Sequence, residues 1–404
     1  MSASSELLYP LAKVSRNDFA KLCEALWEWW PCADWIAERT CQHINQDPGC
    51  HYQDAERLQP FFDFYRDTTA YYVPELTGGS SQVVKTHDDL IQIIRYVKCH
   101  SNLPRLQLMT EYFAAYSKIE FRGMISSDQD RAFSLAVRVM TMLHCSARDQ
   151  SDGLLESGTQ PTIWHGNMSF NKFTNFVIGR QSLLHFGPHG SATSLSPQPM
   201  FNLESISAKR LRSVAKLKII PTNDLRDHLL LDKKKGTVAV YHFASVLKEH
   251  LKAICDRELR EGSGSPVQEY SHLPKQLILE TLHTLQFALF PIDWKSQSIL
   301  RALVAKEKFD PENCCVDTLW RLDGEELIAY EYWGRRVMDL YDELENPTPR
   351  GLLEKWMERK SGARYVMMAT LAGVLIAVLL GILSLAVSIF QTWIAWQQWK
   401  HPVL

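Results

Sequence analysis

The sequence predicts a mainly α-helical protein: a helical cytosolic region with a small β-hairpin, followed by one C-terminal transmembrane helix. Three observations carry that class. Apolar residues recur at helical spacing through most of the first 346 positions, and a short β-prone stretch at 229–243 brackets a Lys-rich turn ending in Gly236. Tyr365 to Phe390 contains no charged side chain. The expected organisation is an N-terminal helical region at 1–150, a second mainly helical region with the hairpin at 151–346, a juxtamembrane segment at 347–364, the span at 365–390 and a short tail at 391–404.

Composition narrows the classes. The 404 residues carry 44 basic and 46 acidic side chains for a formal charge of −2, so the chain lacks the basic excess of a nucleic-acid-binding surface. A hydrophobic content of 46% is enough for a sizeable core and argues against extended disorder. The N-terminus, broken by Pro10, Lys13, Arg16 and Asp18, has no apolar signal segment, which implies late insertion through the C-terminal run.

The first helix is expected from Asn17 or Asp18, with Phe19, Leu22, Cys23 and Leu26 on one face and Pro31 as its break. Trp27, Trp29 and Trp30 cannot share that face, so some of them should meet another element. Cys23, Cys32, Cys41 and Cys50 recur every nine residues. That interval is two and a half helical turns and unlike the short pairs of common zinc sites, so these are expected to be scattered reduced thiols holding no metal. An aromatic group follows at Phe61, Phe62, Phe64, Tyr65, Tyr71 and Tyr72, then a loop at Thr77 to Ser80. Thr86 caps a helix whose first residues include His87 and Asp88. Residues 104–148 read as predominantly helical, and 149–160 as a polar loop.

Trp164-His165-Gly166-Asn167 faintly resembles the catalytic loop of aminoglycoside-phosphotransferase-like kinases. Asn167 stands where those enzymes place an aspartate and cannot receive a substrate proton. A preceding glycine-rich loop and a downstream Asp-Phe-Gly are also missing, so kinase chemistry is not expected. Residues 201–220 read as a basic helix with a solvated face, and 229–231 with 237–243 as the hairpin. Gly262 to Pro266 mark a loop, and Leu277, Leu282, Leu285 and Leu289 form a helical face stopped by Pro291. A further helix is expected at 324–345.

The apolar run spans roughly 39 Å as a helix, more than the ~30 Å hydrocarbon core. Trp356, Arg359, Lys360 and Arg364 before it, and Trp393, Trp396 and Trp399 after it, suit the two interfaces. The heavier basic cluster on the N-terminal side places the large preceding region in the cytosol, at an intracellular or plasma membrane. Ala369, Gly373, Ala377 and Gly381 line one face at four-residue intervals, a strip for helix–helix packing and a homo-oligomer.

Residues 369–400, together with 222–251, resemble a filamentous-fungal group of single-pass membrane proteins. The resemblance implies a membrane protein with a large cytosolic helical region and supplies no catalytic residues. The membrane segment also looks distantly like magnesium-channel relatives, but the chain lacks their Gly-Met-Asn motif. The resulting expectation is a membrane-anchored interaction or scaffold protein, partnered by the lipid bilayer, further copies of itself and a cytosolic protein. It requires no cofactor, catalytic residue or nucleic acid. The alternatives are a membrane-attached enzyme assembled from dispersed groups such as His165, His228 and His242, and an oligomeric channel.

Overall fold

The computed structural model of the chain describes residues 9–42, 49–73, 83–116, 127–147, 161–183, 206–261, 273–315, 330–349 and 362–400. The expected loops at 77–80, 149–160 and 262–266, and the start of the helix expected at 324, lie outside them. The chain forms two units, Met1–Pro347 and Thr348–Leu404.

The first unit is mainly helical. Helices α1 (Arg16–Trp27), α2 (Ala33–Ile36), α3 (Tyr52–Arg57), α4 (Gln59–Ala70), α5 (His87–Cys99), α6 (Arg105–Tyr116) and α7 (Ser127–Thr141) come first. Their boundaries follow local chemistry. Ser15 and Asp18 form a reciprocal capping box at α1, and Thr86 with Asp89 does the same at α5. Glu28, left-handed at φ 66°, ends α1. Helix α1 packs on α5, and α5 on α7. Phe19 stacks on Phe62 at 4.5 Å, and Trp27 meets Phe61 edge-on at 5.4 Å, so the aromatic group of α4 becomes core.

Two short parallel strands, β1 (Cys145–Ser146) and β2 (Thr162–Ile163), precede α8 (Phe170–Leu183). The basic helix expected across 201–220 is cut short. Among the described residues α9 covers Ala208–Ser213, and Lys216 then adopts φ 52° and turns the chain into strand β3 (Lys218–Thr222). The physical reason is local: Lys-Ile-Ile-Pro-Thr favours an extended backbone, and Pro221 has no N–H for a helix ladder.

The expected hairpin is present, with β4 (Leu230–Asp232) antiparallel to β5 (Thr237–Tyr241). Asp232 Oδ1 accepts from the N–H groups of Lys234 and Lys235, both at 2.9 Å, and Gly236 takes φ 68°. Strand β3 adds in parallel to β5, giving the order β3-β5-β4.

Helices α10 (Ala244–Glu261), α11 (Lys275–His283) and α12 (Trp294–Glu307) follow, α11 running on as a wider π-turn through Thr284–Leu289. Helix α13 (Gly334–Glu345) starts on a buried carboxylate: Glu280 accepts from the N–H groups of Glu331, Tyr332 and Trp333 at 2.7, 2.9 and 3.0 Å. Elements from both sides of residue 150 meet through side chains. Trp29 Nε1 donates to Glu249 Oε2 at 3.1 Å, and Arg257 pairs with Glu28 at 2.5 Å.

The second unit contains helix α14 (Gly362–Lys400), of which Thr370–Lys400 is a 31-residue stretch apolar enough to cross a bilayer, with none of it buried. It continues ten residues past Phe390, the expected end of the span, and carries Trp393, Trp396 and Trp399 on the same rod.

Candidate functional site

A cleft of about 1210 Å³ opens in the first unit between α4, the turn after β3 and the end of α12. Seven carboxylates and four cationic side chains line it, the acids including Asp63, Asp67, Asp224 and Asp227 and the cations including Arg57 and Arg138. The turn exists because β3 must hand over to β4 across a short connection. There Asp224 accepts from Arg226 N–H at 3.0 Å and from its Nε at 2.9 Å, which folds the guanidinium back onto the loop. Arg226 also reaches Thr162 Oγ1 at 2.5 Å, tying β2 to this wall. Burial pushes the His144 imidazole at the cleft down to about 4, assisted by the Arg138 charge, so it is neutral at physiological pH.

Just past the end of β5, where Tyr241 pairs with Thr222 of β3, His242 is buried between Phe243 and Phe309, with ring centroids 4.1 and 5.0 Å away. Its Nδ1 accepts from Asp310 N–H at 3.1 Å, and burial drives its pKa down to about 3. Asp310 in turn accepts from Ser245 N–H at 2.8 Å and Glu312 N–H at 2.9 Å, and burial lifts its carboxyl to about 6. Lys248 and Glu312, both buried, pair at 2.6 Å behind it. These groups organise the cleft wall through partners already in place; what the cleft offers a ligand is a mixed apolar and charged lining in which acidic side chains outnumber basic ones.

The three histidines of the enzyme alternative have separate surroundings. His165 is exposed on a turn, while His228 is fully buried, 2.7 Å from Thr284 Oγ1 and edge-on to Trp333. His242 occupies the cleft wall. Trp164 is buried and donates from Nε1 to Met168 O at 2.9 Å, so the Trp-His-Gly-Asn stretch is a closed turn.

The membrane-facing residues divide. Trp356, Arg359 and Lys360 lie outside the described residues, as do the side chains of Arg364 and Ala369. Gly373 and Gly381 sit on α14 with no atom within 4 Å of a Cβ built at either position. Trp393 and Trp396 are half-exposed, Trp399 is more so, and Lys400 Nζ lies 4.2 Å above the Trp396 ring.

The thiols depart from the expected scatter. Cys32 and Cys41 approach to 3.7 Å between sulfurs, Cys41 and Cys50 to 3.6 Å, and all three lie within 4.8 Å of one another. Cys23 does not join them; burial in the core, with Glu249 nearby, raises its thiol well above the ordinary range. The breaks that keep the segment from being one helix are what gather the other three. Glu38, left-handed at φ 58°, closes α2 with Arg39 N–H on Asp34 O at 2.8 Å. Arg16 secures that turn, donating to Trp35 O at 2.6 Å with its guanidinium 4.8 Å over the Trp35 ring. On the far side His51 stacks on Trp29 at 4.8 Å and holds Asp54 at 2.7 Å through Nδ1. Desolvation raises the Cys32 thiol, but the N–H groups of Asp34 and Trp35 and the neighbouring sulfurs outweigh it, so its net shift is downward.

Compared with protein-family models, curated proteins and solved structures, the chain matches none. Its architecture defines its class: a single-pass membrane protein in which a large, mainly helical N-terminal domain precedes one C-terminal apolar helix.

Proposed function

We propose that this is a membrane-anchored interaction protein that holds its N-terminal domain on the cytosolic side of a bilayer, where the acidic-rimmed cleft receives a protein partner. The observation that carries the reading is α14: a helix whose apolar side chains from Leu371 to Phe390 are all exposed needs a hydrocarbon solvent. Orientation rests on Lys355, Arg359, Lys360 and Arg364 ahead of the span, against Lys400 and His401 after it. The cysteines of the described residues form no disulfide, which agrees with a reducing compartment. Gly373 and Gly381 leave a smooth, open face on which a second copy of the helix would pack.

Membrane fractionation with tags at both ends tests the reading. The protein is expected to stay in the pellet through an alkaline carbonate wash. In intact cells or sealed organelles of known sidedness, added protease should remove only the tag on its own side. Release by carbonate, or an N-terminal tag on the lumenal or extracellular side, would overturn it.

A further inference from the structure

Cys32, Cys41 and Cys50 form the chemically most distinctive cluster outside the cleft. A tetrahedral thiolate site with metal–sulfur bonds of about 2.3 Å places its sulfurs about 3.8 Å apart. The two short separations, 3.7 and 3.6 Å, already fit that edge, so an ion would be enclosed with little movement of the chain. A disulfide would require one pair to close to about 2.05 Å and would leave the third thiol unused. The turn that carries Cys32 is held by Arg16, and the residue after Cys50 is held by Asp54 and Trp29, so both ends of the cluster are positioned by packing that needs no metal. Cys41 is buried between the other two, and those two are partly open to solvent, which gives an ion a way in.

We infer that Cys32, Cys41 and Cys50 constitute a binding site for one thiophilic d¹⁰ metal ion, with Zn²⁺ as the reference ligand. Three thiolates select soft or borderline ions and discriminate against Mg²⁺ and Ca²⁺. On binding, each thiol passes its proton to solvent, so a divalent ion and three thiolates leave the centre with one net negative charge and no change in oxidation state. Among the described residues no fourth histidine, cysteine or carboxylate joins the group, and the three thiolates account for three of the four positions of a tetrahedral ion. The site stands independently of the membrane reading: it would exist whether or not α14 crosses a bilayer.

The test uses the full-length chain purified in detergent, reduced, and stripped with a chelator. Titration with Co²⁺ is expected to develop thiolate-to-cobalt charge-transfer absorption that saturates at one ion per chain, and Zn²⁺ should bleach it. Cys41→Ser should weaken binding by at least about tenfold, since loss of a ligand costs no less than loss of an outer hydrogen bond. Cys32→Ser and Cys50→Ser should each do the same, which guards against a folding defect peculiar to the buried position, and exposed Cys99→Ser should leave the titration unchanged. The proposal fails if the wild type shows no charge-transfer band, or if the three serine variants bind as the wild type does. It fails equally if protein isolated from a reducing cytosol carries a disulfide within the trio.

Discussion

Helices α10 and α14 break the rule of apolar inside and polar outside in opposite directions. Helix α14 exposes Leu371, Val374, Leu375 and every large apolar residue after them. Helix α10 buries Lys248, Glu249 and His250 in consecutive positions. The first exception is resolved by changing the solvent, because a bilayer makes the exposed surface favourable. The second is resolved by pairing: Lys248 meets Glu312 at 2.6 Å and Cys315 O at 3.0 Å, and Glu249 receives the Trp29 indole. One helix therefore depends on its surroundings as a whole and the other on a few individual contacts. Substitutions should separate the two dependences.

The largest effect is expected from charging the middle of α14. Leu379→Arg with Ile382→Arg should cost about 5 to 7 kcal/mol of insertion, taking about 2.5 to 3.5 for each arginine. Carbonate extraction reads it as a shift of the protein from pellet to supernatant, and retention in the pellet would contradict the anchor. In α10 the corresponding change is Lys248→Met, which strands a buried Glu312 carboxylate. It should lower the unfolding free energy by about 3 to 5 kcal/mol, while adding Glu312→Leu should recover most of the loss. Thermal unfolding of the full chain in detergent measures both. An uncompensated double variant would show that the pair is more than a local solution to burial.

Glu249 gives the same comparison a pH axis. Burial, with Asp54 adding to it, raises its carboxyl to about 7 against Lys252, Arg57 and the Trp29 hydrogen bond. The folded state then keeps a proton that the unfolded chain has released, so this group's contribution falls as pH rises from its ordinary range near 4.5 through 7. His250 has the opposite sign: burial lowers it to about 3, so its contribution is lost as pH falls below 6.5. Glu249→Gln removes the first slope and leaves the second. The stability difference between variant and wild type should therefore grow from about pH 4.5 to 7 in the variant's favour, reaching about 3 kcal/mol, and then level off. A difference that does not change with pH would mean that Glu249 titrates alike in the folded and unfolded chain.

The same contrast governs what the amino-acid order discloses. Helix α14 is legible because its signal is contiguous and does not depend on any partner. The β4–β5 hairpin is legible because Asp232 and Gly236 satisfy the turn locally, and α1 and α5 because Ser15 and Thr86 carry their own caps. What escapes is non-local. Strand β3 joins β5 in parallel across an intervening hairpin strand, so its five residues look like the tail of a basic helix until their partner is known. The cysteine trio is hidden for a related reason. The nine-residue interval reads as scattered thiols both on a single helix and on a segment broken at Pro31, whereas the left-handed Glu38 turns the chain after α2 and three sulfurs meet. The cleft is likewise assembled from α4, the β3–β4 turn and α12, which no short motif connects.

The smallest expected effect on anchoring separates membrane insertion from assembly within α14. Gly373→Leu and Gly381→Leu add apolar surface where a Cβ meets nothing, so neither forces a rearrangement within the chain. Leucine contributes about −0.3 to −0.6 kcal/mol at a helix centre, and insertion should therefore be retained or slightly strengthened. Close approach of a second helix depends on the absence of those side chains. Crosslinking in membranes is consequently expected to lose the dimer band in the double variant while carbonate resistance stays at the wild-type level. Equal crosslinking with and without the leucines would remove the glycine face from the interface and leave α14 as an anchor alone, whereas loss of both properties together would mean that assembly itself helps to hold the helix in the bilayer.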